Sequence, residues 1–255
     1  MSSKVAWTPL ESNPEVMTKM VRNLGVVGIK GQDDSARPLG LDDELLAFVP
    51  QPVLSVIFLY PLEAKLETYR EKLLQEHRPP ADESKKVWHT KQTISNACGT
   101  IAVLHSLANN AARLEFEADS ALKAYLDKTW EASPEERDQL LKVNEEIANA
   151  HKTSAQGGQT TAPNPTDDVY LHFVSFVMVD GKLWELDGRL SGPACHGPCD
   201  DLLKGTAKVV TSYIEAMKNN ASEEGQEETS TNGVKLDKSA ELQFSMIYVG
   251  KAADF

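Results

Sequence analysis

The chain holds three cysteines, at positions 98, 195 and 199, and the first stands where a thiol becomes reactive. It lies in the stretch Gln92-Thr-Ile-Ser-Asn-Ala-Cys-Gly-Thr100. Ser95 and Asn96 are capping residue types, and the apolar run that follows (Ile101, Leu104, Leu107, Ala108, Ala111) has helical spacing. Cys98 therefore falls in the first turn of a helix. Unpaired N–H groups and the positive end of the helix dipole there favour thiolate over thiol, and the thiolate is the nucleophile. Gly99 leaves room for a substrate backbone to come close. Alone, a cysteine on a helix is more readily a small core residue.

A second feature supplies the base. Val169–Val179 and Leu183–Leu186 flank Asp180-Gly181, a strong signal for a two-residue hairpin turn. In that register Asp187 faces Val174, which shares a sheet face with His172. Asp187 and His172 become diagonal neighbours about 7–8 Å apart by backbone, within reach of a carboxylate–imidazole hydrogen bond. A Cys–His nucleophile needs such a pair, because the carboxylate orients the imidazole and the imidazole takes the thiol proton. Gln92, six residues before Cys98, is a candidate oxyanion donor beside the Cys98 backbone N–H.

The surrounding elements read as one α/β or α+β domain over residues 1–255. Asn13 caps a first helix with Pro14 at its first position, and Gly25 stops it. A short acidic-led segment covers 42–48, and Val53–Tyr60 is a buried strand closed by Pro61. Residues 63–76 are helical, 77–86 loop and 87–92 a short strand. Helices follow over 98–110 and 119–130, and a third runs from the capping box Ser133-Pro-Glu-Glu136 to about Ala150. Residues 151–168 carry no apolar period, and a loop of that length inside a domain is usually functional or disordered. A last helix covers 200–219 and a last strand 241–249. Between them, 220–239 is polar and of low complexity, expected as a mobile surface insertion.

Composition narrows the function. With 26 Lys+Arg against 38 Asp+Glu in 255 residues, the net charge of −12 disfavours nucleic acid and anionic membranes, both of which call for clustered cations. The longest apolar run, 53–60, is far too short to span a bilayer, and the first 15 residues have no signal-peptide features. Three cysteines make no disulfide framework, so a reducing cytoplasm is expected, with the nucleus as an alternative. Cys195-His196-Gly-Pro-Cys199 offers three ligand types but no distant partner set, and is read as an exposed loop without a metal. His77, His89, His105 and His151 are assigned surface or core roles; His105 lies about two turns along the helix from Cys98, too far to be its base.

The stretch 92–100, together with Leu171-His172-Phe173 and Glu185-Leu-Asp-Gly-Arg189, resembles the active-site motifs of the small ubiquitin C-terminal hydrolases. Trp7-Thr-Pro-Leu-Glu-Ser-Asn-Pro14 and Ser133-Pro-Glu-Glu-Arg137 are similar too, and the likeness runs from near residue 5 to near residue 249. The resemblance implies a papain-like fold, a central mainly antiparallel sheet flanked by helices, with a knotted backbone. It makes Cys98 the nucleophile, His172 the general base and acid, Asp187 the orienter and Gln92 the oxyanion stabiliser. It implies no cofactor, ubiquitin or a ubiquitin-like modifier as partner, and a monomer.

By the same resemblance, 151–168 is a loop crossing the active site that admits only small or flexible groups on ubiquitin's C-terminal glycine. Ubiquitin contacts are expected at Pro9, Leu10, Glu11, Ser12, Asn13 and Pro14. Further contacts are expected at Ala155, Gln156, Gly157, Gly158, Gln159, Thr160, Thr161 and Ala162, and at Leu171, Glu241, Leu242, Gln243 and Phe244. The segments 191–200 and 220–239 are longer than in the smallest members. Two rivals to a hydrolase stay open at this point: a protein that holds ubiquitin and barely turns over, and a Cys–His–Asp acyltransferase that uses amines instead of water.

Overall fold

The computed structural model describes residues 5–31, 41–160, 163–165, 167, 169–219 and 244–251. The expected insertion at 220–239, and the expected contacts Thr161, Ala162, Glu241, Leu242 and Gln243, lie outside these.

The chain begins with α1 (Pro14–Asn23), which Asn13 caps by accepting the Glu15 N–H, with Pro14 at the first position as the sequence suggests. Two short strands follow, β1 (Val26–Val27) and β2 (Ile29–Gly31), then α2 (Asp43–Leu46), β3 (Val53–Pro61) and α3 (Ala64–Glu76). Next come α4 (Ala81–Ser84), α5 (Cys98–Ala108), β4 (Glu115–Phe116), α6 (Ala121–Thr129), α7 (Pro134–Lys142) and α8 (Glu145–Ala155). The chain closes with β5 (Leu171–Val179), β6 (Lys182–Leu186), β7 (Ala194–Pro198), α9 (Leu202–Asn219) and β8 (Ser245–Lys251).

Six strands form one antiparallel sheet in the order β2-β8-β3-β5-β6-β7, and β1 pairs with β4 apart from it. Both faces are covered, which explains the unbroken apolar run of β3. On one side Ile57, Leu59 and Phe173 pack against α1, α5, α6 and α8. On the other, Val56, Phe58, Tyr60, Val174 and Phe176 pack against Leu66 of α3 and Val210 and Tyr213 of α9. The alternation along β3 follows from the two-residue period of a strand. All eleven residues of α5 are buried, so this helix runs through the core. Ser106 is bonded where the helix meets the sheet, its Oγ 2.8 Å from Ser175 Oγ, and just past the helix Asn110 Nδ2 donates to Leu54 O at 3.0 Å.

The hairpin register is the one expected, with Ser175 opposite Leu186 and Val179 opposite Lys182. Asp180 (φ 51°) and Gly181 (φ 69°) both turn left-handed, which matches the right-handed twist of the flanking strands.

Several segments differ from the sequence reading. Residues 87–92, expected as a short strand, form none. Their polar groups are taken up by side chains and loops instead: Trp88 N by Asn109 Oδ1, Thr90 N by His105 Nε2 and Gln92 N by Gly188 O. The helix after Ser133 is two helices, because Asn144 stops the first and caps the second through the Ile147 N–H. That second helix continues to Ala155, past the expected start of the loop. Its inner face is written in small and polar residues (Ala150, His151, Ser154, Ala155), so hydrophobicity alone conceals the period. Residues 194–198 form the edge strand β7 in place of an exposed loop, and Cys199 is buried. The short strands β1, β2 and β4 left no readable pattern.

Candidate active site

Cys98 is the first residue of α5 and 8% exposed. Neither Ser95 nor Asn96 caps the helix: the cap position is Ala97, and Asn96 sits left-handed at φ 62° with its amide turned away. The opening amides of α5 thus receive no side-chain cap, and the N–H groups of Gly99 and Phe173 bond the Cys98 sulfur. Gly99 is needed for another reason than the one expected. A Cβ there would lie 3.1 Å from Leu10 Cβ and 3.4 Å from Phe173 Cδ2, so the glycine admits Leu10 and not a substrate backbone.

His172, on β5, meets Asp187 one residue past the end of β6, as the hairpin register requires. Its Nε2 donates to Asp187 Oδ1 at 2.7 Å, which leaves the other ring nitrogen for the Cys98 thiol, whose charge couples to the ring. Asp187 is held at both oxygens. Oδ1 also accepts the Arg189 N–H at 2.9 Å, and Oδ2 accepts Arg70 Nη2 at 3.1 Å. Burial alone would favour the neutral forms of all three groups. The charges reverse it. Against burial, the Asp187 carboxylate and the Cys98 thiol raise His172 to about 9. Against burial, His172 and the two backbone N–H groups hold the thiol below its ordinary value. Against burial, His172 and Arg70 keep Asp187 far below the usual carboxylate range. All three groups are thus biased toward their charged forms, the pairing a thiolate nucleophile needs.

Gln92 lines the same cleft as Cys98 and His172. Its backbone N–H donates to Gly188 O at 2.8 Å and its side-chain amide to Ile94 O at 3.3 Å, which leaves a second amide N–H for another acceptor. Gly188 sets its position: a Cβ there would stand 2.8 Å from Gln92 Cβ and 2.9 Å from Ile101 Cγ2.

The cleft has a volume of about 440 Å³. Its walls are apolar (Leu10, Leu59, Leu62, Leu171, Phe173, Pro163), with Gln92, Cys98, His172 and Arg189 converging on the interior. The described residues after α8 are tied on two sides of it. Thr160 donates its N–H and its hydroxyl to Glu11 Oε2 at 3.0 and 2.8 Å, and Asn96 Nδ2 donates to Pro165 O at 3.0 Å. Gly158 is packed against the same carboxylate.

The expected contact residues separate into two groups. Pro9, Leu10, Glu11, Ser12, Ala155, Thr160 and Leu171 line the cleft, and Gln156, Gly157 and Gln159 are exposed beside it, with Gly158 half-buried. Asn13 and Pro14 are buried at the start of α1, and Phe244 stacks on Phe58 with ring centroids 5.8 Å apart.

Sequence reasoning passed over the residues behind Asp187. Arg70 bonds Asp187, Glu185 and Tyr60, and Glu185 bonds His196 and Tyr213. A signal existed: Arg70 occupies the apolar i, i+4 stripe between Leu66 and Leu74, and Glu185 interrupts the apolar strand Leu183-Trp184-Leu186. His89 donates to the Asp187 carbonyl at 2.9 Å and stacks on His105 at 4.8 Å. His151 links Thr100 to the Thr8 carbonyl. Of the surface or core roles expected for these three histidines, all three take the core one. His196, placed on an exposed loop by the sequence, has a side chain 5% exposed.

The family model described as ubiquitin carboxyl-terminal hydrolase, family 1, matches residues 7–215. Ubiquitin carboxyl-terminal hydrolase isozyme L1 of Rattus norvegicus is 43% identical over 209 residues, 81% of this chain and 91% of that protein. A probable ubiquitin carboxyl-terminal hydrolase of Dictyostelium discoideum is 44% identical over 213 residues, 82% of each chain. Among solved structures, the catalytic domain of Trichinella spiralis UCH37 bound to ubiquitin vinyl methyl ester superposes with a TM-score of 0.69 at 21% identity, covering 97% of this chain and 96% of that one. The fold is thus shared even where few residues are, and the chain belongs to the ubiquitin carboxyl-terminal hydrolase family.

Proposed function

We propose that this protein is a deubiquitinating cysteine hydrolase that releases small or flexible groups from the C-terminal glycine of ubiquitin, through a Cys98–His172–Asp187 triad. The observation that carries the reading is the 2.7 Å hydrogen bond from His172 to Asp187, with His172 and Cys98 lining one apolar cleft beside Gln92. The Trichinella relative holds ubiquitin vinyl methyl ester on the same fold, which supports ubiquitin as the partner.

The Cys98 thiolate attacks the glycine carbonyl while the developing oxyanion takes hydrogen bonds from the Cys98 N–H and the Gln92 amide. The tetrahedral centre collapses as the His172 imidazolium protonates the leaving group, and a thioester remains. Water, deprotonated by His172, then attacks the thioester and frees the ubiquitin carboxylate and the Cys98 thiol. Asp187 keeps the imidazole in the tautomer and orientation both steps need. No cofactor takes part in this chemistry. The tied crossover limits the size of the leaving group, and the chain acts as a monomer in the cytoplasm, with the nucleus as a second site.

Steady-state release of a fluorophore amide-linked to the ubiquitin C-terminus tests the reading. Fast release by the wild type that vanishes in Cys98→Ala is expected. No release from either protein, with tight ubiquitin binding retained, replaces the hydrolase with a ubiquitin-holding protein.

A further inference from the structure

Behind Asp187 lies a buried polar cluster that the reaction above does not use. Asp187 and Glu185 are two residues apart on one strand line, so both project to the same side. Between them lies Arg70, brought by α3. Its Nη2 donates to Glu185 Oε1 at 2.5 Å and to Asp187 Oδ2 at 3.1 Å, and its Nη1 bonds the Tyr60 hydroxyl. Arg70 is 3% exposed and Glu185 0%. The other Glu185 oxygen accepts Tyr213 Oη at 2.6 Å and pairs with His196 Nε2 at 2.9 Å.

A buried ion cluster of this kind is weak support for stability, since apolar groups of similar shape often do as well. Its placement gives it another use. Asp187 Oδ1 is already engaged by His172 and the Arg189 N–H, so Arg70 is the group that holds the second oxygen and fixes the carboxylate plane. It is also the cation shared by two carboxylates that would otherwise repel each other in a dry site. Against burial, Arg70 first, then His196 and Tyr213, hold Glu185 down to about 2.

We propose that Arg70, anchored by Glu185, is a positioning residue for the proposed reaction: it pins Asp187 Oδ2 so that Oδ1 faces His172, and its charge lets both carboxylates stay ionised. This rests on the hydrolase reading for its consequence, not for its geometry. The groups that face the cluster are Tyr60 from β3, Glu67 from α3, His172 from β5, His89 at the Asp187 carbonyl, Arg189, Tyr213 from α9 and His196 from β7.

Removing Arg70 takes a positive charge from the neighbourhood of the thiolate and leaves Glu185 facing Asp187 without a cation. Both effects disfavour the thiolate, so the acid limb of Cys98 reactivity must rise. Alkylation of Cys98 by iodoacetamide, followed by mass spectrometry of its peptide from pH 4 to 9, reads that limb without any ubiquitin. In Arg70→Met the limb is expected to move up by about one pH unit. In fluorophore release, kcat is expected to fall about thirtyfold with KM within about twofold.

Adding Glu185→Gln to Arg70→Met removes the uncompensated carboxylate, so the double variant is expected to recover about fivefold in kcat and part of the limb. Arg70→Lys keeps the charge but loses the two-pronged bridge, so its limb stays in place while kcat falls several-fold. A wild-type limb and kcat in Arg70→Met overturns the proposal, as does a loss that Glu185→Gln does not recover. If Arg70→Met does not fold, Arg70→Lys decides: a lower kcat at unchanged KM supports the proposal, and an unchanged kcat overturns it. A limb shift in Arg70→Met beside a wild type inert on ubiquitin would sink the hydrolase reading and leave the positioning role standing.

Discussion

Asp187 has a buried histidine on each side, and at neutral pH one ring is protonated and the other neutral. Its carboxylate meets His172, 3% exposed and raised to about 9; its carbonyl meets His89, 1% exposed and lowered to about 4. Burial pushes both rings toward the neutral form. The difference is the partner. His172 has a full negative charge at 2.7 Å, and the Cys98 thiol raises it further. His89 bonds the Asp187 carbonyl at 2.9 Å, with a neutral His105 stacked on it and the Arg137 cation nearby, and there burial outweighs the pull of the Asp187 and Glu135 charges. In a medium of low dielectric that substitution of a charge for a dipole is worth several kcal/mol. One residue thus separates a ring that can donate a proton at neutral pH from a ring that only props up the backbone.

The most severe way to break this contrast is Asp187→Asn, which turns the His172 environment into that of His89. The imidazolium is lost and the thiol loses its counter-ion, so kcat for ubiquitin–fluorophore release is expected to fall by about 10³ or more. The acid limb of Cys98 alkylation rises with it, and a variant that keeps wild-type turnover would refute the orienting role. Gln92→Ala sharpens the contrast from outside it. Gln92 touches neither ring, so kcat should drop about a hundredfold while the alkylation limb stays where it was. Movement of that limb would mean that Gln92 acts on the ion pair and not on the oxyanion.

Gly188→Ala is expected to be milder. Its Cβ would press on Gln92 and Ile101 and displace the oxyanion donor by a fraction of an ångström, costing about tenfold in kcat. Wild-type kinetics in that variant would show that the glycine is not what places Gln92.

On the other side of Asp187 the effect is on stability. His89 has a folded value of about 4 against about 6.5 unfolded, so below pH 6.5 the unfolded chain takes up a proton that the folded one refuses. Acidification from pH 7 to 5 should therefore cost about 2 kcal/mol through this ring alone. In His89→Gln, urea unfolding at the two pH values should show a smaller loss, with turnover within about threefold of wild type. An equal loss in both proteins would contradict a neutral His89.

Much of the site could be read from the sequence because its signals are local. Asp180-Gly181 fixes the hairpin register, and the register alone brings His172 beside Asp187. The apolar period after Cys98 places the thiol at a helix start. What stayed hidden depends on contacts far apart in the chain. The stretch 87–92 looks like a strand, yet Asn109, His105 and Gly188 satisfy its backbone in place of a neighbour strand. The last turn of α8 is buried through His151 and Ser154, polar residues whose partners, Thr100 and Asn23, no local pattern reveals. Arg70 and Glu185 were visible only as charges in apolar periods, and their meaning required knowing that 115 positions of sequence separation close to 2.5 Å.

The central claim is that Cys98 is the nucleophile that the imidazolium keeps charged, and that ubiquitin's C-terminus reaches it. Incubation with ubiquitin vinyl methyl ester, followed by intact mass and peptide mapping, tests both at once. The account predicts one ubiquitin added per chain, attached at Cys98 and slowed strongly in Asp187→Asn. No adduct, or an adduct on Cys195 or Cys199, would contradict it.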